Sequence, residues 1–294
     1  MAEIALALEQ ALSRRRKDGQ AGRTLPRVIA GGCGWAVSDV VCTCGPSDRP
    51  YEERHAGYSI AVVLAGSFQY RSAAGNALMT PGSLMLGNQG QCFECGHEHG
   101  EGDRCVSFWY APWHFERLAA DAGVRGRVRF TVPRVPALRP LAPLVARAGL
   151  GVAGRAAIPW EELAVTLAAQ TITLATGTPM DSRGLPRNAE ARVSRAVRII
   201  DGDPHEQLTL GMLAEQAGSS PYHFLRTFER LTGVTPHQYV LRARLRKAAM
   251  RLGGGSGRIT DVAFDSGFGD VSNFNRAFRG EFGVSPRAFR RALS

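Results

Sequence analysis

The feature that most constrains this chain is an internal repeat. Residues 208–239 and 259–289 match at an offset of 49 to 50 positions. Ala214 pairs with Ala263, Gly218 with Gly267, Phe224 with Phe274 and Arg226 with Arg276. Phe228 pairs with Phe278, Gly233 with Gly283, Pro236 with Pro286 and Tyr239 with Phe289. Each copy reads as a short helix, a glycine turn and a second helix. Thr209 and Thr260 are expected to cap the first helices, which end at Gly218 and Gly267. Ser220, followed by Pro221, and Asp270 are expected to cap the second helices. Phenylalanines four residues apart share one helix face and can pack on the preceding helix. The opposite face then shows Tyr222, Leu225, Arg226 and Glu229 in the first copy. In the second it shows Ser272, Asn273, Asn275, Arg276 and Arg279.

A helix pair with a tight glycine turn and a polar, arginine-bearing outer face is a helix-turn-helix. Serine and asparagine offer short donors and acceptors suited to base edges, and arginine forks onto guanine or holds a phosphate. The candidate DNA contacts are therefore Tyr222, His223, Leu225, Arg226, Ser272, Asn273, Asn275, Arg276 and Arg279. The competing reading is a merely solvated face, which has most force for Leu225 and Asn273.

Charge agrees with a polyanion partner. The formal net charge is +10. From residue 185 onward there are 17 basic and 10 acidic residues, or +7; before it there are 19 and 16, or +3. Such an excess suits nucleic acid, although a soluble basic surface is the plainer alternative. With 44% apolar and 21% charged residues the chain is globular, neither disordered nor a rod. No apolar run approaches the roughly 20 residues of a membrane span, and no leader pattern is visible, which predicts a cytoplasmic protein away from membranes.

The second copy carries Ile259, Asp261, Val262, Ala263, Phe264, Ser266, Gly267 and Phe268, then Ser272, Phe274, Arg276 and Phe278, then Gly283, Ser285 and Pro286. The first repeats this more loosely through Leu213, Ala214, Ala217 and Gly218, then Tyr222, His223, Phe224, Arg226 and Phe228, then Gly233, Thr235, Pro236 and Tyr239. In this pattern residues 188–294 resemble the AraC-type transcriptional regulators. The resemblance implies two helix-turn-helix units, at 208–231 and 259–281, joined by a long helix at 236–252. It implies recognition helices in successive major-groove segments, roughly 34 Å apart on one face of the duplex. It further implies double-stranded promoter DNA and RNA polymerase as partners, and two copies acting as a homodimer. One departure is Gly253-Gly254-Gly255-Ser256-Gly257, which is richer in glycine than such turns usually are and suggests a looser tilt between the units.

The expected fold class is multi-domain α+β. Residues 1–25 read as a helical segment with a charged end, favoured as solvated; 26–111 as a β-barrel; 112–178 as helices for dimerisation; 179–187 as a linker. Short apolar or alternating runs at 37–44, 58–64, 67–71, 78–79, 83–86 and 105–110 alternate with glycine and proline turns, the spacing of an all-β barrel or sandwich. Helices are expected at 113–122, 138–148 and 159–175; the last is apolar almost all round and needs burial against the barrel or a second copy. AraC-type chains commonly carry a cupin-like barrel here, and residues 26–111 look like one. A cupin barrel can hold a metal, hold a small effector or do neither.

All six cysteines, Cys33, Cys42, Cys44, Cys92, Cys95 and Cys105, lie in the first 105 residues. If residues 95–99 are extended, Cys95, His97 and His99 project to one face. With Cys105 they would suit zinc or another divalent metal. Redox sensing and plain core packing are the alternatives. Glu98, Glu101 and Asp103 are expected to form salt bridges with Arg104 or neighbouring arginines. No zinc-protease, nucleophile-elbow, P-loop or dinucleotide motif occurs. The chain thus reads as a non-enzymatic regulator, with a cupin metalloenzyme fused to a DNA-binding tail as the alternative and a nonspecific DNA-coating protein as a third class.

Overall fold

The computed structural model describes residues 2–124, 128–175, 188–204, 208–255 and 257–293, with the side chains of residues 2, 3 and 222 outside the description. The linker expected at 179–187 lies outside the described residues. The first element, α1 (Ala2–Asp18), carries Ile4, Leu8 and Leu12 at four-residue spacing, and all three are buried. The expectation of a solvated terminal helix is therefore corrected: its apolar stripe is docked. A Cβ at Gly102 would fall 3.0 Å from Leu8 Cδ1 and 3.1 Å from Leu12 Cδ2. Near the helix end Arg15 pairs with Asp48 at 2.6 Å.

Nine strands follow: β1 (Thr24–Gly32), β2 (Trp35–Cys42), β3 (Glu52–Arg54), β4 (Tyr58–Gly66), β5 (Phe68–Ser72), β6 (Gly75–Met79), β7 (Leu84–Gly87), β8 (Cys92–Gly96) and β9 (Asp103–Tyr110). They make two antiparallel sheets, and β10 (Arg134–Val135) pairs with β7 as an edge strand of the larger one. The larger has the order β1-β2-β9-β4-β7-β10 and the smaller β3-β8-β5-β6. Alternation along β4 shows how they face. Ala61 and Val63 pack with Phe68, Tyr70, Ala77, Met79 and Cys105 between the sheets. Ile60, Val62 and Leu64 point to the other side, with Val106 and Phe108 of β9. Both faces of β4 are thus buried, so it reads as an unbroken apolar run. In place of the expected closed barrel, the two sheets stay separate and pack face to face as a sandwich.

The outer face of the larger sheet is covered by α2 (Pro112–Asp121), α3 (Ala142–Val152) and α4 (Trp160–Ala175). Leu163, Leu167 and Ile172 of α4 are buried, and Tyr110 Oη donates to the Ala164 carbonyl at 2.8 Å. Of the two burials expected for α4, the sandwich supplies this one.

The remaining described residues are helical: α5 (Ala189–Gly202), α6 (Leu210–Gln216), α7 (Pro221–Thr232), α8 (Pro236–Gly253), α9 (Ile259–Asp265), α10 (Val271–Phe282) and α11 (Pro286–Arg291). Val193, Val197, Leu213, Phe224 and Phe228 build one core with Tyr239 and Val240 of α8. Phe274, Phe278 and Phe282 belong instead to the large core that also holds Leu144, Leu150 and Leu163. Close packing of α8 on α3 needs Gly253, where a Cβ would fall 2.2 Å from Leu150 Cδ2. A second tie is Arg134, fully buried, whose Nη1 donates to the Leu78 carbonyl at 2.6 Å and to the Leu231 carbonyl of α7. Burial pushes its guanidinium down to about 10, which still leaves it charged at neutral pH.

Candidate nucleic-acid interface

The two helix pairs are built by local chemistry. Thr209 accepts from the Met212 N–H at 3.2 Å and starts α6; Ser220 accepts from the His223 N–H at 3.4 Å and starts α7. Gly218 takes φ +57° in the turn between them, a left-handed conformation that glycine adopts without steric cost. Phe224 and Phe228 are buried with ring centroids 5.5 Å apart, and Phe228 meets the Tyr239 ring edge-on at 5.6 Å. That orientation leaves His223 and Arg226 exposed and Leu225 half-buried, so Leu225 belongs partly to the packing. The side chain of Tyr222 lies outside the described residues.

The second unit is the sharper one. Gly267 takes φ +83° in its turn. Asp270 accepts from the N–H groups of Ser272 at 3.0 Å and Asn273 at 2.8 Å, satisfying two donors at the start of α10. Despite slight desolvation, these two bonds hold the Asp270 carboxyl below the usual range. Thr260, expected to cap α9, instead lies inside it; Arg258 holds the cap position, and its N–H donates to Asp261 Oδ2 at 3.3 Å. Phe274 and Phe278 are buried, with Phe268 5.1 Å from Phe274 and Phe289 5.4 Å from Phe278. Ser272, Asn273, Asn275, Arg276 and Arg279 are all exposed on the other side. One helix face thus presents two guanidinium groups, two amides and a hydroxyl, a set able to read base edges and hold phosphates.

The units are braced on each other. Thr235 and Gln238 form a reciprocal cap at the start of α8, with bonds of 3.3 and 3.2 Å. Further along, Arg242 pairs with Glu281 of α10 at 3.3 Å, and Arg246 pairs with Asp201 of α5 at 3.2 Å. Tyr239 Oη donates to the other Asp201 oxygen at 2.8 Å.

The expected Cys–His set is rearranged by the fold. Strand β8 ends at Gly96 and the chain turns over residues 98–100. The alternation that would align Cys95, His97 and His99 therefore breaks at His97. His97 Nε2 sits 2.8 Å from Asp103 Oδ2, and Cys105 Sγ lies 3.2 Å from Asp103 Oδ1. Cys42, His97 and Asp103 bring their ligand atoms within 4.8 Å of one another, the one such trio of possible metal ligands among the described residues. Cys95, His99 and Cys105 are not in it; Cys105 touches it only through Asp103. Asp103 does not pair with Arg104, because neighbours on a strand face opposite ways; Arg104 instead grips Asp39 through two bonds of 2.9 Å. Its position two residues before Cys105, hence on the same face, was the available signal for Asp103. Burial would lower the His97 imidazole, but Asp103 and then Cys42 beside it outweigh this and hold it up at about 10.

Residues 213–292 match the helix-turn-helix domain family. The HTH-type transcriptional activator RhaS of Klebsiella pneumoniae (strain 342) is 34% identical over 103 residues, 35% of this chain and 37% of that protein. For RhaS of Salmonella agona (strain SL483) the match is 31% over 205 residues, 66% of this chain and 71% of the relative. Among solved structures, the DNA-binding domain of AdpA in complex with a target DNA is 31% identical; it covers 34% of this chain and 91% of that one, with a TM-score of 0.34.

Proposed function

This chain belongs to the AraC-type transcriptional regulators, and from that premise we propose that it binds double-stranded promoter DNA sequence-specifically and regulates transcription. The observation that carries the reading is the doubled unit: α7 and α10 each bury a phenylalanine pair and turn polar side chains outward. His223 and Arg226 act from α7, with Tyr222 and the edge of Leu225; Ser272, Asn273, Asn275, Arg276 and Arg279 act from α10. RNA polymerase is the further macromolecular partner, the site of action is the cytoplasm, and the chain performs no catalysis of its own. No described helix is long and apolar enough to cross a membrane.

The sandwich serves as the regulatory half. A cleft of about 810 Å³ opens beside Tyr58, Asn88, Phe93 and Arg129, with Arg71 and Glu94 paired at 2.7 Å on its wall. Its lining mixes apolar side chains with amides and guanidinium groups, which suits a small effector with both apolar and hydrogen-bonding groups. Pairing of two copies is supported by β1, an edge strand on which Leu25 and Val28 are exposed.

The test is selection of duplexes from a random pool by the full chain. The expected product is a pair of short conserved blocks whose centres lie about one helical turn apart. Equal affinity for selected and random duplexes would overturn the reading in favour of a nonspecific DNA-coating protein.

A further inference from the structure

The one trio of possible metal ligands among the described residues lies between the two sheets. Cys42 ends β2 and Asp103 begins β9, and the two are direct cross-strand partners. His97 follows β8 and closes over them, its ring against Phe68 at 5.8 Å. Their ligand atoms fall within 4.8 Å of one another, and Cys105 reaches the second Asp103 oxygen at 3.2 Å. All four residues are buried. The His97 side chain is only 1% exposed, yet its Nδ1 has no hydrogen-bond partner among the described residues. A buried polar atom left in this way is costly.

We propose that this cluster is a binding site for a thiophilic divalent cation of the Zn²⁺ class, held by Cys42, His97 and Asp103, with Cys105 completing the set. Two sulfurs, one imidazole nitrogen and one carboxylate form a donor set for a borderline-soft ion. Magnesium and calcium need six or more oxygens, which the cluster lacks. Bond lengths of about 2.0–2.3 Å place tetrahedral ligand atoms roughly 3.3–3.8 Å apart; Cys42, His97 and Asp103 reach this by a modest contraction, and Cys105 by turning its side chain from Asp103 toward the ion. As the cation binds, the two thiols release their protons to solvent and the imidazole ligates in its neutral form; the two thiolates and the carboxylate offset the cation's two charges and leave the site with one net negative charge. A redox sensor would need solvent-accessible thiols; here Cys42 and Cys105 are both buried. The loop between His97 and Asp103 also abuts the DNA-binding half: a Cβ on Gly100 would lie 3.3 Å from Arg198 Nη1 of α5.

The site stands on the sandwich alone, so its failure would leave the DNA-binding reading untouched. The experiment uses the untagged full chain, purified without chelator after growth with zinc, and counts metal per chain by elemental analysis. The expected result is one zinc per chain, falling at least fivefold in Cys42→Ala and in Asp103→Asn and unchanged in Cys33→Ala, which alters an exposed cysteine outside the cluster. Because a core variant can lose metal by unfolding, the stripped wild-type chain is also titrated with Co²⁺. A thiolate-to-cobalt charge-transfer band with the intense visible bands of a tetrahedral ion is expected. Substoichiometric zinc without that band, or metal loss in Cys33→Ala equal to that in Cys42→Ala, would overturn the proposal.

Discussion

On the exposed face of α10, Arg276 Nη2 donates to Asn273 Oδ1 at 3.2 Å. The two residues are three apart and so stand one above the other on the helix surface. Asp270 accepts from the backbone N–H of the same Asn273 at 2.8 Å. The guanidinium is thus steered by an amide whose own backbone is fixed by the helix cap. Such an arrangement lowers the ordering cost of any contact made through the Arg276 guanidinium.

Arg276→Ala should cost about 1–3 kcal/mol of specific binding if the guanidinium forks onto a base. It should change folding stability by less than about 0.5 kcal/mol, as exposed substitutions usually do. If Arg276 holds a phosphate instead, affinity should fall equally for all sequences and the salt slope should drop by about one. Affinities of the variant for selected and random duplexes at several salt concentrations separate the cases. Unchanged binding to both would contradict the outward placement of Arg276 as a DNA contact.

Phe278→Ala should act in the opposite sense. Phe278 contacts Phe274, Phe282 and Phe289 with centroids 5.5, 4.4 and 5.4 Å away. Truncating a fully buried phenylalanine leaves a cavity worth roughly 3–5 kcal/mol. This core is continuous with that of α3 and α4, so the loss should appear in denaturant unfolding of the whole chain. A variant as stable as wild type would show that the second unit is not packed this way.

Arg134→Met tests the tie between the sandwich and α7. It removes the donor to the Leu78 and Leu231 carbonyls, and a buried acceptor left unpaired costs about 1–3 kcal/mol. The expected outcome is lower stability together with faster amide exchange in the last turn of α7. Unaltered exchange there would mean that α7 is held without this arginine.

A pH dependence follows from His55, buried against Phe93 with ring centroids 4.1 Å apart. Its Nε2–H donates to Tyr70 Oη at 3.0 Å, while the Tyr70 hydroxyl donates to the Leu86 carbonyl at 3.0 Å. Burial lowers the imidazole to about 4, whereas an unfolded histidine titrates near 6.5. The unfolded chain therefore takes up the proton first. The contribution of neutral His55 is complete above about pH 6.5 and is lost as pH falls towards 4, at most about 3 kcal/mol. Urea unfolding between pH 7 and 4 should be less pH-dependent in His55→Gln than in wild type. Identical slopes would show that His55 is not buried in its neutral form.

The sequence alone determined the two helix-turn-helix units, because their signals are local. Caps at Thr209, Ser220 and Asp270 lie within three residues of the N–H groups they accept from. Phenylalanine pairs at four-residue spacing assign inner and outer faces from helix geometry alone. Most central strands were equally legible from alternation and turns. The edge strands β1 and β3 were not: β1 is largely exposed and contains Pro26, and β3 has three residues.

Only the tertiary structure decided the rest, because those contacts depend on register and docking between distant segments. Cys42 meets Asp103 across 61 positions because β2 pairs with β9 in one register, and a slip of one residue would turn either side chain to the opposite face. His99 leaves the cluster because β8 stops at Gly96. The glycines expected to loosen the units include Gly253, which packs α8 tightly on Leu150. No periodicity within a single segment carries that information, since it is set by which apolar faces bury one another when the chain closes.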